Sequence, residues 1–143
     1  MCEFFKDAAG SLVGGALAVG TGYWLFWVQR RSSAKDDFLA TIDDLKAKLE
    51  VSRGIDASCD KTHVFYNEST EVLRRAVYKV RRHLRSSLRA RLQKTFQDFE
   101  GQKQWFESPE RVVALKVHLK GLGNPHPQTF LDDFLDRFYD CVA

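Results

Sequence analysis

The sequence has little of what most catalytic or metal-binding sites require. Its three cysteines are Cys2, Cys59 and Cys141, an odd number at scattered positions, so we expect reduced thiols and no disulfide framework. The chain has no glycine-rich phosphate loop, no HExxH pair, no paired CxxC and no Gly-x-Ser-x-Gly turn. We therefore expect a non-catalytic protein with no cofactor and no metal ion.

The residues that come nearest to such a site are few. Cys59 and His63 are four apart and would share a helix face, but two ligands without a second cluster nearby in the sequence do not make a zinc site. His83 falls on the apolar side of its predicted helix, where a hydrogen-bonded core histidine is expected. Lipidation of Cys2 is not expected, because no apolar segment precedes it.

Charge is absent from a long stretch near the N-terminus, between Asp7 and Arg30. At about 1.5 Å per helical residue this stretch spans roughly 30 Å, the thickness of a bilayer's hydrocarbon core. It predicts a transmembrane helix at 8–29, after a short tail at 1–7. A buried helix of a soluble protein rarely goes so far without a charge. A cleaved signal peptide fits less well, because the leader is not positively charged and the bulkiest apolar residues follow the small-x-small motif at Ala16–Ala18.

Aromatic and basic residues gather at the C-terminal end of this stretch. They form a predicted interfacial anchor, which consists of Tyr23, Trp24, Phe26, Trp27, Arg30 and Arg31. Interfacial aromatics are typical of membrane helices, and lysine and arginine prefer the cytoplasmic flank. We expect the N-terminus outside and the C-terminal domain in the cytoplasm.

Small residues recur every four positions within the predicted span. This small-residue strip consists of Gly10, Gly14, Ala18 and Gly22. It would let a second helix approach closely, which predicts either a homo-oligomer or packing on another membrane protein. The alternative is flexibility or loose lipid contact, since glycine is common in membrane helices for other reasons.

Helical periodicity continues through the rest of the chain. The predicted fold is all-α, with one N-terminal transmembrane helix followed by a small cytoplasmic bundle of about four to five helices. A juxtamembrane helix at 30–53 precedes a helical domain at 54–143. The apolar stripe of the juxtamembrane helix is Phe38, Ile42, Leu45 and Leu49.

Two helices of the domain have clear limits. Ser108 suits an N-cap, Pro109 suits the first helical position, and the helix they begin is predicted to stop at Gly121. Pro127 begins the last helix. The predicted apolar face of that helix is Phe130, Leu131, Phe134, Leu135, Phe138, Tyr139 and Val142, and its acidic face is Asp132, Asp133, Asp136 and Asp140.

Acidic residues are absent from Val72 to Gln97, where nine basic residues lie. The apolar residues of this region share one helix face, and they are Val72, Leu73, Ala76, Val77, Val80, Leu84 and Leu88. Opposite them lies the basic surface, which consists of Arg74, Arg75, Lys79, Arg81, Arg82, Arg85 and Arg89. We expect this surface to meet an anionic partner.

The number of helices in this region is left open by the pattern. In one unbroken helix, Leu92, Phe96 and Phe99 would emerge on the basic side. A break at "RSSLR", with Ser86 or Ser87 capping a new helix, removes that conflict. The alternative is one bent helix that is buried differently along its length.

Three interpretations of the basic surface compete. Acidic residues outnumber basic ones by nine to seven in 30–71 and by eight to five in 98–143, so the surface is expected to pack on those helices. It is otherwise expected to contact anionic lipid headgroups. Nucleic acid is not favoured, because exposed aromatics for base stacking are not interleaved with the charges.

Together these features predict a non-catalytic, single-pass, membrane-anchored helical adaptor or scaffold that self-associates. The alternatives are a membrane-proximal protein that tethers nucleic acid and a small pore-forming protein.

Overall fold

A computed structural model describes residues 2–55, 59–123 and 126–143, and the side chains of 15, 17–52, 61–123 and 126–143. Within these ranges the chain is all-helical, which confirms the all-α part of the predicted fold. The five α-helices are α1 at Cys2–Ile55, α2 at Cys59–Val80, α3 at Ser86–Gly101, α4 at Pro109–Gly121 and α5 at Pro127–Val142. Short 3₁₀ turns cover Arg81–His83 and Gln102–Trp105.

The chain divides into two compact units, Met1–Ser33 and Ala34–Ala143. In the first unit, every described side chain up to Arg30 is exposed. Among the residues that the structure describes, no helix has the length and apolar character needed to cross a bilayer. The predicted transmembrane helix at 8–29 is not supported by that finding, and the side chains of 8–14 and 16 lie outside the description.

The second unit contains the hydrophobic core, to which α1 contributes the stripe predicted from its spacing. Phe38, Ile42, Leu45 and Leu49 are all buried. Residues spaced four, three and four apart return to the same side of a helix, so one face carries all four side chains into the core. The predicted stripe is confirmed.

The centre of the core is an aromatic group that joins three segments of the chain. The Tyr66 ring of α2 stacks on Phe106, with centroids 4.4 Å apart, and lies 4.9 Å from Phe99 of α3. The Tyr66 hydroxyl donates a hydrogen bond of 2.7 Å to the Phe99 carbonyl. Phe99 also meets Phe134 and Phe138 of α5 edge to face. One buried cluster therefore connects α2, α3 and α5.

The predicted apolar face of α5 is correct except at its edge. Its buried residues include Leu131, Phe134, Leu135, Phe138 and Val142. Tyr139 was expected among them but is 36% exposed. It lies at the border of the stripe, where its ring meets the ammonium group of Lys46, 5.7 Å from the ring centroid. A cation over an aromatic face suits a partly solvated position.

The limits of α4 and the start of α5 match their sequence signals. The Ser108 hydroxyl accepts a hydrogen bond of 3.4 Å from the Arg111 amide, and Pro109 is the first residue of α4. The predicted N-cap is confirmed. Pro127 likewise begins α5, where the ring nitrogen Nδ1 of His126 accepts from the Gln128 amide.

The basic region forms two helices, and the unbroken helix is excluded. Leu84 and Arg85 are extended, with ψ angles of 152° and 156°, so the chain turns away after the 3₁₀ turn. The predicted cap is wrong: Arg85 is the N-cap residue of α3, and Ser86 is already helical. Val72 is also corrected, because it is 40% exposed at the border of the buried face of α2.

Phe138 provides a test of the aromatic core. Its side chain is fully buried against Phe96 and Phe99, so Phe138→Ala leaves a cavity and is expected to lower the free energy of unfolding by about 3–5 kcal/mol. Chemical denaturation of the full chain measures this loss. Asp133→Ala, at an exposed position on the same helix, should change it by no more than about 0.5 kcal/mol. Equal losses would contradict the core assignment.

Tyr66 predicts an alkaline dependence of stability. Burial raises the pKa of Tyr66 to about 12, against about 10 for an exposed tyrosine. Above pH 10 the unfolded chain loses this proton while the folded chain keeps it, so stability falls between pH 10 and 12. The stability difference between wild type and Tyr66→Phe should shrink as pH rises through that window in denaturant titrations. A difference that stays constant would contradict the prediction.

Candidate functional site

The basic surface is distributed over the junction between α2 and α3. Three of its residues lie on α2, two in the 3₁₀ turn, one in the extended linker and one on α3. Six are exposed, and Arg81 is half-buried. The apolar side chains beneath them explain this placement: Leu73, Val77, Val80 and Leu84 are buried in the core, so their basic neighbours point outward.

Only one member of the basic surface pairs with a carboxylate among the described residues. Arg74 forms ion pairs with Glu71 of its own helix and, at 2.7 Å, with Glu100 of α3. The hydrogen bond to Glu100 and the charge of Glu71 raise the pKa of Arg74 above its ordinary value. The other six form no ion pair with a described carboxylate.

Three of these six cationic side chains, all of them arginines, are held by neutral partners. Arg81 and Arg82 both lie over the ring of Tyr78, 4.7 and 4.8 Å from its centroid. Arg82 also donates a hydrogen bond of 2.6 Å to the Tyr78 hydroxyl, and Arg89 donates one of 3.3 Å to the Leu84 carbonyl. These contacts restrict the side chains without neutralising their charge.

A groove of about 540 Å³ lies at this junction. It is lined by Arg81, Arg82, Ser86, Arg89, Ala90 and Gln93. All its polar side chains can donate hydrogen bonds, and none is a carboxylate. The sequence pattern marked the three arginines, but the groove, Ser86 and Gln93 were missed, because the direction of the chain through the break brings them together.

The acidic residues expected to cover the basic surface make other contacts. Asp136 of α5 pairs with Lys46 of α1, and Asp98 of α3 pairs with Arg137 of α5. The hydrogen bond with Asp136 raises the pKa of Lys46. These pairs connect α1, α3 and α5. Within the basic surface, only Arg74 pairs with a carboxylate of another described helix, that of Glu100 on α3.

The predicted membrane residues are described only in part. Gly10 and Gly14 lie outside the residues whose side chains are described. Ala18 is exposed, and a Cβ added at Gly22 would meet no atom within 4 Å apart from the neighbouring helix backbone. Among the anchor residues, Tyr23, Trp24, Phe26, Trp27 and Arg30 are exposed. The Arg31 guanidinium lies 5.5 Å from the centroid of Trp27.

The histidines and cysteines that the sequence singled out do not form a common site among the described residues. The ring nitrogen Nδ1 of His63 donates a hydrogen bond of 2.5 Å to the Phe106 carbonyl, and the side chain of Cys59 lies outside the described residues. No group of three or more metal-ligating side chains lies in the part of the chain described. His83 is half-buried rather than in the core, because α2 has ended at Val80. Cys141 is a buried free thiol.

No protein-family model, no curated protein and no solved structure matches this chain. The function proposed below therefore rests on the contacts, burial and charges of the chain's own residues.

Proposed function

We propose that the protein is a non-catalytic, single-pass, membrane-anchored helical adaptor whose basic surface contacts anionic lipid headgroups. The residues 8–29 form the anchor, and the helical unit that follows works in the cytoplasm. Self-association through the small-residue strip would bring several basic surfaces to one membrane, which strengthens a weak contact by raising the local concentration.

The observation that carries this proposal is the missing counter-charge. Six of the seven residues of the basic surface have no carboxylate partner among the described residues. If the surface served to hold the bundle together, its cations would be paired with the acidic helices. Each lysine or arginine near an anionic membrane contributes about 1 kcal/mol of attraction, so several unpaired cations are enough to orient an anchored domain.

Support for the anchor comes from the N-terminal unit. The apolar side chains of Leu17, Val19, Trp24, Leu25 and Phe26 are each more than half exposed. These side chains are distributed around the whole circumference of the helix, so packing along one helix face could not bury all of them. Contiguous exposed apolar area indicates an interaction with a membrane or a protein. The hydrocarbon core of a bilayer would contact the apolar side chains on all sides of the helix.

The lipid contact can be tested with the fragment 32–143, once cooperative thermal unfolding shows that it is folded. It is expected to bind phosphatidylcholine vesicles that contain phosphatidylserine, and to lose this binding as added salt shortens the screening length below about 8 Å. Changing Arg75, Lys79 and Arg85 to Gln should weaken the binding about tenfold or more, because three headgroup attractions are lost. Vesicle co-sedimentation measures both effects.

The matched control removes the same charge from another exposed place. Arg111, Lys116 and Lys120 lie on α4, and their change to Gln should weaken vesicle binding much less. Equal weakening would show that net charge, not the basic surface, causes the binding. Binding to duplex DNA with a steep salt dependence, and none to anionic vesicles, would replace the adaptor by a nucleic-acid tether.

The small-residue strip is tested at Gly22. At both Gly22 and Gly20 an added Cβ meets no atom within 4 Å apart from the neighbouring helix backbone, so both positions are open at the start of a side chain. Gly22→Ile should abolish crosslinking between copies in membranes, because it blocks close approach at the strip. Gly20→Ile lies on a different face and should leave crosslinking intact. Equal crosslinking of both variants would remove the strip as an interface.

A further inference from the structure

We propose that the groove between α2 and α3 is a binding site for a phosphate monoester. The groove is the one lined by Arg81, Arg82, Ser86, Arg89, Ala90 and Gln93. This inference deepens the proposed function, because it names the anionic group that one part of the basic surface recognises. Such a site differs from general electrostatic attraction between the basic surface and a membrane, because one groove would bind one phosphate group.

The charge of the groove points to an anion with more than one negative charge. Three guanidinium groups line it, and no carboxylate does. Arginine binds phosphate oxygens with paired, charge-assisted hydrogen bonds, which are about twice as strong as neutral ones. Like charges that face one depression repel each other until an anion enters, so a dianion is stabilised there more than a single carboxylate.

The guanidinium groups are already positioned for binding. Stacking on Tyr78 fixes Arg81 and Arg82, and the Leu84 carbonyl fixes Arg89. Side chains that are ordered before binding lose less conformational entropy when the ligand arrives. Because every one of these partners is neutral, the full positive charge of the three groups stays available to the ligand.

The start of α3 adds hydrogen-bond donors beside the arginines. Arg85 caps this helix without a side-chain hydrogen bond, and the first turn contains no acidic residue. Backbone amides at a helix start carry partial positive charge and have no partner within the helix. The Ser86 hydroxyl lines the same groove. Phosphate oxygens would therefore find hydroxyl and guanidinium donors in the groove, next to the start of α3.

The volume of the groove suits a ligand larger than a bare phosphate ion. Small-molecule sites commonly enclose about 300–1,000 Å³, and this groove measures about 540 Å³. That is more than a bare phosphate ion fills. A phosphate monoester on a small organic group fits better, and both a lipid headgroup and a soluble metabolite can carry one.

The test uses the full chain in nanodiscs of neutral phosphatidylcholine, titrated with inorganic phosphate at constant ionic strength set with chloride. We expect saturable binding by calorimetry. The combined change Arg82→Gln and Arg89→Gln should weaken it about tenfold or more, because two charge-assisted contacts are lost. The control Arg75→Gln with Lys79→Gln removes equal charge outside the groove and should change the affinity less than about twofold.

A second measurement needs no variant. Phosphate should shift the Nε–Hε nuclear magnetic resonance signals of Arg81, Arg82 and Arg89 in the wild-type protein and leave that of Arg75 in place. Unshifted signals, or equal weakening by the groove and control variants, would overturn the proposal. Because the nanodisc is uncharged, these results do not depend on whether the rest of the basic surface binds anionic vesicles.

The source of the monoester is identified by competition. If it is a lipid headgroup, phosphatidic acid in the nanodisc should lower the apparent affinity for free phosphate in the wild type and not in the groove variant. If it is a soluble ester, phosphatidic acid should have no effect while glycerol phosphate competes with inorganic phosphate. Both results support the groove as a monoester site and assign its ligand to one source.

Discussion

The buried hydroxyl of Tyr66 is the constraint on which the arrangement of the helices depends. A hydroxyl removed from water must find an acceptor, and the acceptor here is the Phe99 carbonyl near the C-terminal end of α3. The same carbonyl also accepts a hydrogen bond from the backbone amide of Gln102, so the Tyr66 hydroxyl is bound where α3 ends. Stacking on Phe106 holds the same ring from another side. One side chain therefore links α2 to the end of α3 through a hydrogen bond and a ring contact.

That fixed position explains the break in the basic region. The buried face of α2 ends at Val80, and the core residues of α3 begin at Leu92, on what would have been the opposite side of a continuous helix. A short 3₁₀ turn and two extended residues interrupt the helix between them. Because this connector lies on the surface, its arginines gather around a concave junction instead of following a straight helix.

Periodicity and capping signals were enough to predict much of the fold, and they failed where the backbone dihedral angles decide the outcome. The stripe from Phe38 to Leu49 and the cap at Ser108 follow from local rules, and both are present. The predicted cap at Ser86 is one residue too late. Arg85 takes the extended N-cap conformation instead, and arginine has no side-chain preference for that position that the sequence could have signalled. The members of the basic surface could be named from helical spacing. The stacking on Tyr78 and the groove could not, because both depend on how the chain passes through the break.

The sequence also misled about the acidic residues, and the reason concerns geometry more than charge. Acidic segments before and after the basic region suggested neutralisation, yet Asp136 meets Lys46 and Asp98 meets Arg137. The aromatic cluster places α5 against α3, so a carboxylate of α3 pairs with α5 at that contact, and a carboxylate of α5 pairs with α1. Exposed pairs of this kind contribute about 0–1 kcal/mol each, too little to pull a helix away from a buried aromatic contact. Core packing therefore decides which charges can pair, and six of the seven residues of the basic surface have no carboxylate partner among the described residues.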